Sequence, residues 1–167
     1  NDAPLLNDAV RAVHENSATD TNVGGALPVS DEDAFQTHSY TIQAGNDGEA
    51  FQVGSSSGQL TVRTAVLDYE AQTTYSLTVW AVDSGFPSLQ DEATVTVSVV
   101  DVNEAPVVVA GSATVAENSA TGVAVGSPVV ATDQDANQQL AFSLGGDNAG
   151  GAFRIDSATG QLYVAAA

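Results

Sequence analysis

The segment that decides the fold is Ala93-Thr94-Val95-Thr96-Val97-Ser98-Val99. Apolar and polar residues alternate strictly along it, so the three valines share one face and the hydroxyl residues share the other. This period of two is typical of a half-buried β-strand. A second stripe of the same period precedes it, and its apolar members are Tyr75, Leu77, Val79 and Ala81. The sequence therefore predicts two long strands in residues 74–100.

Turn signals divide the rest of this region into short segments. They are Gly24-Gly25, Asn46-Asp47-Gly48, Ser55-Ser56-Ser57-Gly58 and Gly85-Phe86-Pro87. Between them lie shorter period-two stripes, and no segment shows sustained helical periodicity. About seven short strands in roughly 100 residues indicate an all-β fold, an antiparallel Greek-key β-sandwich of the immunoglobulin-like kind.

The chain repeats itself at a fixed offset. Asn1-Asp2-Ala3-Pro4 returns as Asn103-Glu104-Ala105-Pro106, and Glu15-Asn16-Ser17-Ala18-Thr19 returns as residues 117–121. With an offset of 102 and no gap, residues 1–65 align with 103–167, and 25 of these 65 positions are identical. A unit of this length is a domain. We therefore predict tandem sandwiches: a complete repeat in residues 1–102 and the first two-thirds of a second, incomplete one in 103–167.

Composition excludes several functions. The 167 residues include 21 acidic and 3 basic side chains, for a formal charge of -18, and such a surface repels nucleic acids. Without cysteine there is no disulfide, no thiolate zinc site and no cysteine nucleophile. No apolar run approaches the roughly 20 residues that span a bilayer, so no membrane insertion by this segment is expected. No motif places a base beside a nucleophile, so we do not expect an enzyme.

The acids of the first unit cluster at its ends and at strand-to-loop junctions. Strand ends gather at the two poles of a sandwich, and the connector between the units, residues 101–106, adds more oxygen donors. Carboxylates, an asparagine amide and backbone carbonyls form an all-oxygen shell, which suits Ca²⁺ better than Mg²⁺ when the shape is irregular. The acids concerned are Glu15, Asp31, Asp33, Asp68, Glu70, Asp83, Asp101 and Glu104.

The order of these motifs resembles the cadherin repeat. The motifs are Glu15-Asn16, Asp31-Glu32-Asp33, Leu67-Asp68-Tyr69-Glu70, Ala81-Val82-Asp83-Ser84-Gly85 and Asp101-Val102-Asn103-Glu104-Ala105-Pro106. The second unit carries the first two again, as Glu117-Asn118 and Asp133-Gln134-Asp135. The resemblance covers essentially the whole chain and implies tandem seven-strand sandwiches with up to three calcium ions at each junction.

The resemblance also implies ligands for each ion. The outermost ion would be held by Glu15, Asp68, Glu70 and Glu104. The middle ion would be held by Glu15, Glu70, Asp101, the carbonyl of Val102, Glu104 and Asp135. The third would be held by Asn103, the carbonyl of Ala105, Asp133 and Asp135. At the other end of the first unit, Asn1, the carbonyl of Ala3, Asp31, Asp33 and Asp83 would form one further site of the third type, filled only when calcium is plentiful.

The second unit departs from the family pattern in two ways. It has no counterpart of Asp83, so the third junction site should be the weakest. It also has no counterpart of the last two strands, and their absence should uncover Val130, Phe142 and Phe153. An open sheet edge of this kind invites strand exchange with another copy.

The function implied by the resemblance is mechanical. We expect a calcium-stiffened fragment of an extracellular, cell-surface array that supports calcium-dependent adhesion or self-association, homophilic or strand-swapped. The alternative is a calcium-dependent carbohydrate-binding module of a surface or secreted protein, with Trp80, Tyr40 and Tyr69 as candidate platforms for a polysaccharide. The richness in Ala, Val, Thr and Asp, with no lysine, favours a bacterial surface protein.

Overall fold

A computed structural model describes residues 1–146 and 148–165. Contacts between Cα atoms divide the chain into two compact units, Asn1–Val102 and Asn103–Ala167, called unit 1 and unit 2 below. Within the described residues the regular structure is β-strand, apart from two short 3-10 turns at Asp47–Glu49 and Ala149–Gly151. The all-β prediction is confirmed.

Unit 1 is built on a four-stranded sheet of order β2-β8-β7-β4. Its strands are β2 (Ala9–His14), β4 (His38–Ala44), β7 (Thr74–Asp83) and β8 (Gln90–Val100). The pairs β4–β7 and β7–β8 are antiparallel, whereas β2 runs parallel to β8. The two long predicted strands are therefore the centre of this sheet.

Shorter pairs form the opposite layer of unit 1. They are β1 (Leu5–Leu6) with β3 (Val29–Ser30), and β5 (Phe51–Val53) with β6 (Leu60–Val62). The core lies between the layers, because the alternating stripes of β7 and β8 turn their apolar members inward. Leu77, Val79 and Val95 are fully buried, and the ring of Phe51 meets that of Tyr75 edge-on at a centroid distance of 5.1 Å. Burial of this alternating face is the main source of stability.

Unit 2 has only short strands in its described part. They are β9 (Val107–Val108), β10 (Ala124–Val125), β11 (Ala131–Thr132), β12 (Phe153–Ile155) and β13 (Leu162–Val164). β9 pairs with β11, and β13 lies between β10 and β12. These strands correspond to the shorter layer of unit 1.

The counterparts of β2 and β4 in unit 2, residues 111–116 and 140–146, form no strand. In unit 1 these strands pair with β8 and β7, which have no counterpart in residues 103–167. A strand without a neighbour cannot satisfy its backbone N–H and C=O groups through a ladder. The predicted exposure holds for Phe142 and Phe153, which are only partly buried whereas their counterparts Tyr40 and Phe51 are 5% and 1% exposed. Val130 is 57% exposed, but its counterpart Pro28 is exposed in unit 1 as well, so the strands do not account for it.

No helix in the described residues has the length and apolar character needed to cross a membrane.

Candidate metal centre

Three carboxylates meet at the pole of unit 1 where β2 and β8 end. Glu15 follows β2 and Asp101 follows β8, so the parallel pairing of these strands brings the two acids to the same edge. Glu70 joins them from the loop that precedes β7. One oxygen of each of the three carboxylates lies within 4.8 Å of the others. Oxygens this close repel one another unless a cation lies between them.

Glu15 is the buried member of this group, with 2% of its surface exposed. Its Oε2 accepts a hydrogen bond of 2.9 Å from the backbone N–H of Tyr69, and its Oε1 accepts one of 2.8 Å from that of Val102. One carboxylate thus fixes both the loop that carries Glu70 and the start of the connector. Asp68, in the same loop, accepts a hydrogen bond from the N–H of Ala71.

A second acidic group lies at the opposite pole of unit 1. The side-chain amide of Asn1 donates to Oδ2 of Asp83 at 2.9 Å. The backbone N–H of Asp2 donates to Oδ2 of Asp33 at 2.6 Å, and the N–H of Asp33 donates to Oδ1 of Asp31 at 2.9 Å. The structure therefore gathers the four side chains predicted for the end site, and the exposed Ala3 lies in the segment between Asp2 and β1.

Hydrogen bonding lowers the pKa of two of these acids. For Asp31 the largest cause is the hydrogen bond with the His38 imidazole, whose Nε2 lies 2.8 Å from Oδ2. For Asp83 burial is the largest single effect and would raise the pKa. The N–H of Leu89, the amide of Asn1 and a further backbone N–H together outweigh it, so the pKa falls. Both groups are held as carboxylates, the form that binds a cation.

Unit 2 repeats the part of this arrangement that the connector and the aspartate pair form, although residues 103–167 contain no counterpart of Asp83. The backbone N–H of Glu104 donates to Oδ2 of Asp135 at 2.9 Å, and the N–H of Asp135 donates to Oδ1 of Asp133 at 3.2 Å. The amide of Gln138 donates to Oδ1 of Asn103 at 2.6 Å, as the amide of Gln36 does to Asn1 in unit 1. Ala105 is exposed, as expected of a residue that would contribute only its carbonyl.

The two units differ at one carboxylate oxygen. In unit 1, Oδ2 of Asp31 contacts His38. In unit 2 the position of His38 is occupied by Leu140, and the buried Oδ2 of Asp133 has no hydrogen-bond partner among the described residues. A buried carboxylate oxygen with no donor is costly, and a cation removes that cost.

Sequence reasoning missed His38 and the two glutamines, Gln36 and Gln138. The glutamines carried a signal, because they are identical in the repeat and lie five and three residues after the paired aspartates. His38 carried none, since its contact with Asp31 depends on the local course of β4.

The aromatic residues proposed as sugar platforms fall into different environments. Trp80 lies on the outer face of the four-stranded sheet, partly buried, and its indole N–H donates to Glu92 at 2.8 Å. Tyr40 is wrong as a platform, because it is 5% exposed and its hydroxyl donates to the carbonyl of Leu27. Tyr69 packs against the core. The period-two pairing of Tyr40 with Ile42 turns Tyr40 into the core.

Comparison with protein families gives a match to the cadherin domain over residues 10–100. The chain belongs to the cadherin family. The match covers the sheet of unit 1 almost entirely and includes Glu15 and Glu70, and it ends one residue before Asp101. The predicted cadherin resemblance and sandwich fold are confirmed.

Cadherins of animals resemble the chain along most of its length. This chain is 36% identical to mouse protocadherin Fat 4 over 158 residues, and the alignment covers 89% of this chain and 3% of the relative. The structure of protocadherin gammaB7 EC3-6, described as a cis-dimer, has a TM-score of 0.65 and 26% identity, covering 99% of this chain and 43% of that one. Mouse cadherin-23 EC22-24 has a TM-score of 0.65 and 28% identity, with coverages of 97% and 53%. The chain spans only a small part of the curated relative.

Proposed function

We propose that this cadherin segment binds calcium through both units and that calcium stiffens the connector between them. The observation that carries the proposal is the meeting of Glu15, Glu70 and Asp101, whose oxygens lie within 4.8 Å of one another. Of the carboxylates predicted as ligands, Glu15, Asp83 and Asp135 are buried, at 2%, 5% and 8% exposure. Burying Glu15 beside the like charges of Glu70 and Asp101 is unfavourable unless a cation compensates them.

The donor set fits calcium. All predicted ligands are carboxylate, amide or carbonyl oxygens, which Ca²⁺ accepts in shells of six to eight. The buried Oδ2 of Asp133, with no hydrogen-bond partner among the described residues, supports a cation in unit 2. In unit 1, Glu15, Asp68, Glu70, Asp101 and the carbonyl of Val102 would supply ligands. In unit 2 they would come from Asn103, Glu104, the carbonyl of Ala105, Asp133 and Asp135. At the N-terminal pole of unit 1 they would come from Asn1, the carbonyl of Ala3, Asp31, Asp33 and Asp83.

Calcium bound by these residues would act on the connector directly. Asp101, Asn103 and Glu104 belong to the connector, so an ion that they help to hold restricts its backbone. Ligand binding by a site that is complete only in the ordered state stabilises that state. We propose that the consequence is a rigid extracellular array at the cell surface, which supports calcium-dependent adhesion or self-association rather than catalysis.

Isothermal titration with CaCl₂ after removal of bound metal tests the proposal. Binding should be saturable, should exceed one ion per chain and should persist in excess Mg²⁺. Glu70→Gln should remove binding by the Glu15 cluster of unit 1, and Asp133→Asn should remove binding from unit 2. Glu49→Gln is a matched control, because Glu49 is exposed and forms an ion pair with Arg63. Unchanged titration of both site variants would overturn the assignment.

Carbohydrate binding is the second candidate function. The observation that favours it is the position of Trp80 on the outer face of the four-stranded sheet. Retention on insoluble polysaccharides, measured with and without calcium, decides between the two. Retention that Trp80→Ala abolishes would support a carbohydrate-binding module. The adhesive function predicts no retention by the unmodified chain.

A further inference from the structure

Two phenylalanines at the N-terminal pole of unit 1 are fully exposed. The side chain of Phe35 is 104% exposed and that of Phe86 is 97% exposed. Within the described residues the next most exposed large apolar side chain is Val10, at 74%. Neither ring contributes to the core, and an exposed pair of large aromatic side chains is typical of a contact surface.

The two loops that carry these rings are tied together. The backbone N–H of Thr37 donates to Oγ of Ser84 at 3.1 Å. The amide of Asn1 donates to the carbonyl of Pro87 at 2.9 Å, and its Oδ1 accepts from Gln36 at 2.6 Å. The rings therefore project from one braced pole.

The backbone at Phe35 is unfavourable for phenylalanine. Its φ is +69°, in the left-handed region that bulky residues rarely adopt. The repeat provides an internal comparison, because the equivalent residue in unit 2 is Asn137, with φ of +66°. Asparagine tolerates this conformation and phenylalanine does not. Unit 1 thus carries a strained, solvent-exposed aromatic residue where unit 2 carries the residue suited to the turn.

We propose that Phe35 and Phe86 form a contact surface for the C-terminal pole of another cadherin-type sandwich, joined covalently through a connector at Asn1–Pro4. The sequence Asn1-Asp2-Ala3-Pro4 matches the connector Asn103-Glu104-Ala105-Pro106, so this pole has the sequence of a junction. The proposal goes beyond calcium binding and does not depend on it.

Unit 1 itself shows what a C-terminal pole offers to an aromatic ring. Beside Asp68 lies an open cavity of about 220 Å³ whose apolar lining comes from Val66, Ala71 and Tyr75. Val66 is 45% exposed there. A sandwich with a similar pole could accept an aromatic ring from the next unit.

Charge favours a covalently joined partner over a free one. The pole around the two rings carries Asp2, Asp31, Glu32, Asp33 and Asp83. A free second copy or an anionic membrane would be repelled, and two rings bury too little area to overcome this repulsion in a bimolecular complex. A connector of a few residues supplies an effective concentration of the order of millimolar, at which a small contact suffices.

The test uses a three-unit chain in which residues 1–102 precede the full chain. Phe35→Asn and Phe86→Ser are placed either in the leading copy of unit 1, whose pole is free, or in the internal copy, whose pole is at a junction. The two chains have the same composition. Melting and small-angle scattering are measured in EDTA and again in calcium, so that a failure of the calcium proposal remains distinguishable.

In the leading copy, Phe35→Asn relieves the left-handed strain and should raise the melting temperature of that unit by about 4 °C. In the internal copy, the same changes should leave the melting temperature unchanged or lower it. Scattering should then show a wider distribution of the radius of gyration. Val10→Thr, a change at an exposed apolar residue away from the pole, should have the same effect in either copy. Equal behaviour of the two Phe variants in the two positions would overturn the proposal. So would self-association of residues 1–167, or their binding to phosphatidylserine vesicles, that the Phe variants abolish.

Discussion

Oε1 of Glu15 accepts a hydrogen bond of 2.8 Å from the backbone N–H of Val102, although the two residues are 87 positions apart. This contact fixes the start of the connector to the end of β2, while the other oxygen of Glu15 holds the loop at Tyr69. A buried carboxylate therefore positions the segment that supplies Asp101.

Replacing Glu15 should weaken unit 1 even without calcium. In Glu15→Gln the new amide would direct a donor at one of the two backbone N–H groups, leaving it unsatisfied. We expect a loss of about 1–3 kcal/mol in the free energy of unfolding, the range for a buried donor that is left without a hydrogen bond. Urea denaturation in EDTA measures it. The exposed Glu49→Gln should change the value by less than about 0.5 kcal/mol, and equal effects of both variants would contradict the structural role of Glu15.

His38 should weaken calcium binding at the N-terminal pole of unit 1. Its imidazole contacts Oδ2 of Asp31, an oxygen that a cation would need, whereas Leu140 leaves the equivalent oxygen of Asp133 without such a contact. His38→Leu should therefore tighten calcium binding at this pole by up to about tenfold, if one charge-assisted hydrogen bond competes with the ion. The same variant should lower the stability of the calcium-free protein.

Titration calorimetry measures the change in calcium affinity caused by His38→Leu. The chain used also carries Glu70→Gln and Asp133→Asn, which remove calcium binding at the other sites. His14→Leu is the control, because His14 is an exposed residue at the end of β2. Weaker calcium binding in His38→Leu would mean that the histidine assists the site.

The stability of the calcium-free protein should fall below about pH 4. The pKa of Asp83 is lower in the folded state than the roughly 3.9 of an unfolded aspartate. Such a group contributes its stability fully above the unfolded pKa and loses it as the pH falls through the folded value. Urea midpoints measured between pH 6 and pH 2 should therefore decline at the acid end.

Asp83→Asn should flatten this decline, whereas Glu32→Gln, at an exposed acid of the same pole, should not. Asp31 contributes in the same direction, because its pKa is also lowered. If the urea midpoint of Asp83→Asn declined as steeply below pH 4 as that of the unmodified chain, other carboxylates would be responsible for the loss of stability in acid.

Unit 2 should become a cooperative sandwich when its missing strands are supplied. Appending residues 66–102 of unit 1 after residue 167 gives residues 111–116 and 140–146 the neighbours that β2 and β4 have in unit 1. We expect a second cooperative melting transition and a loss of fluorescence from a dye that binds exposed apolar surface, because Phe142 and Phe153 would be covered as their counterparts Tyr40 and Phe51 are in unit 1. The control appends the same segment with the equivalents of Leu77, Val79 and Val95 changed to serine, which cannot fill the core.

The strength of the pattern determined what could be predicted from the sequence. The strict alternation of residues 93–99 predicted β8 because the strand is long and one face is fully buried. The cadherin resemblance implied that acids meet at the N-terminal pole of each unit, and the repeated sequence forms the same local hydrogen bonds at both. The parallel pairing of β2 with β8 was not predicted, since alternation is the same in parallel and antiparallel neighbours.

Predictions from short-range sequence patterns were also wrong where contacts with distant residues determine the structure. Residues 140–146 resemble β4 in position but have no strand partner, so they form no strand. Tyr40 was proposed as a surface platform, although its stripe directs it into the core. The contact between His38 and Asp31 is specified by the folded geometry of one unit and has no counterpart in the repeat.

The most direct test of calcium binding is the calorimetric melting of the full chain in EDTA and in millimolar CaCl₂, with MgCl₂ at the same concentration for comparison. Calcium-specific binding to the folded state should raise the melting temperature of unit 1 by several degrees, because a ligand at 100 times its dissociation constant adds about 2.7 kcal/mol. Glu70→Gln should remove most of this rise and Glu49→Gln none of it. A melting temperature that is the same in EDTA, magnesium and calcium would contradict the calcium sites proposed here.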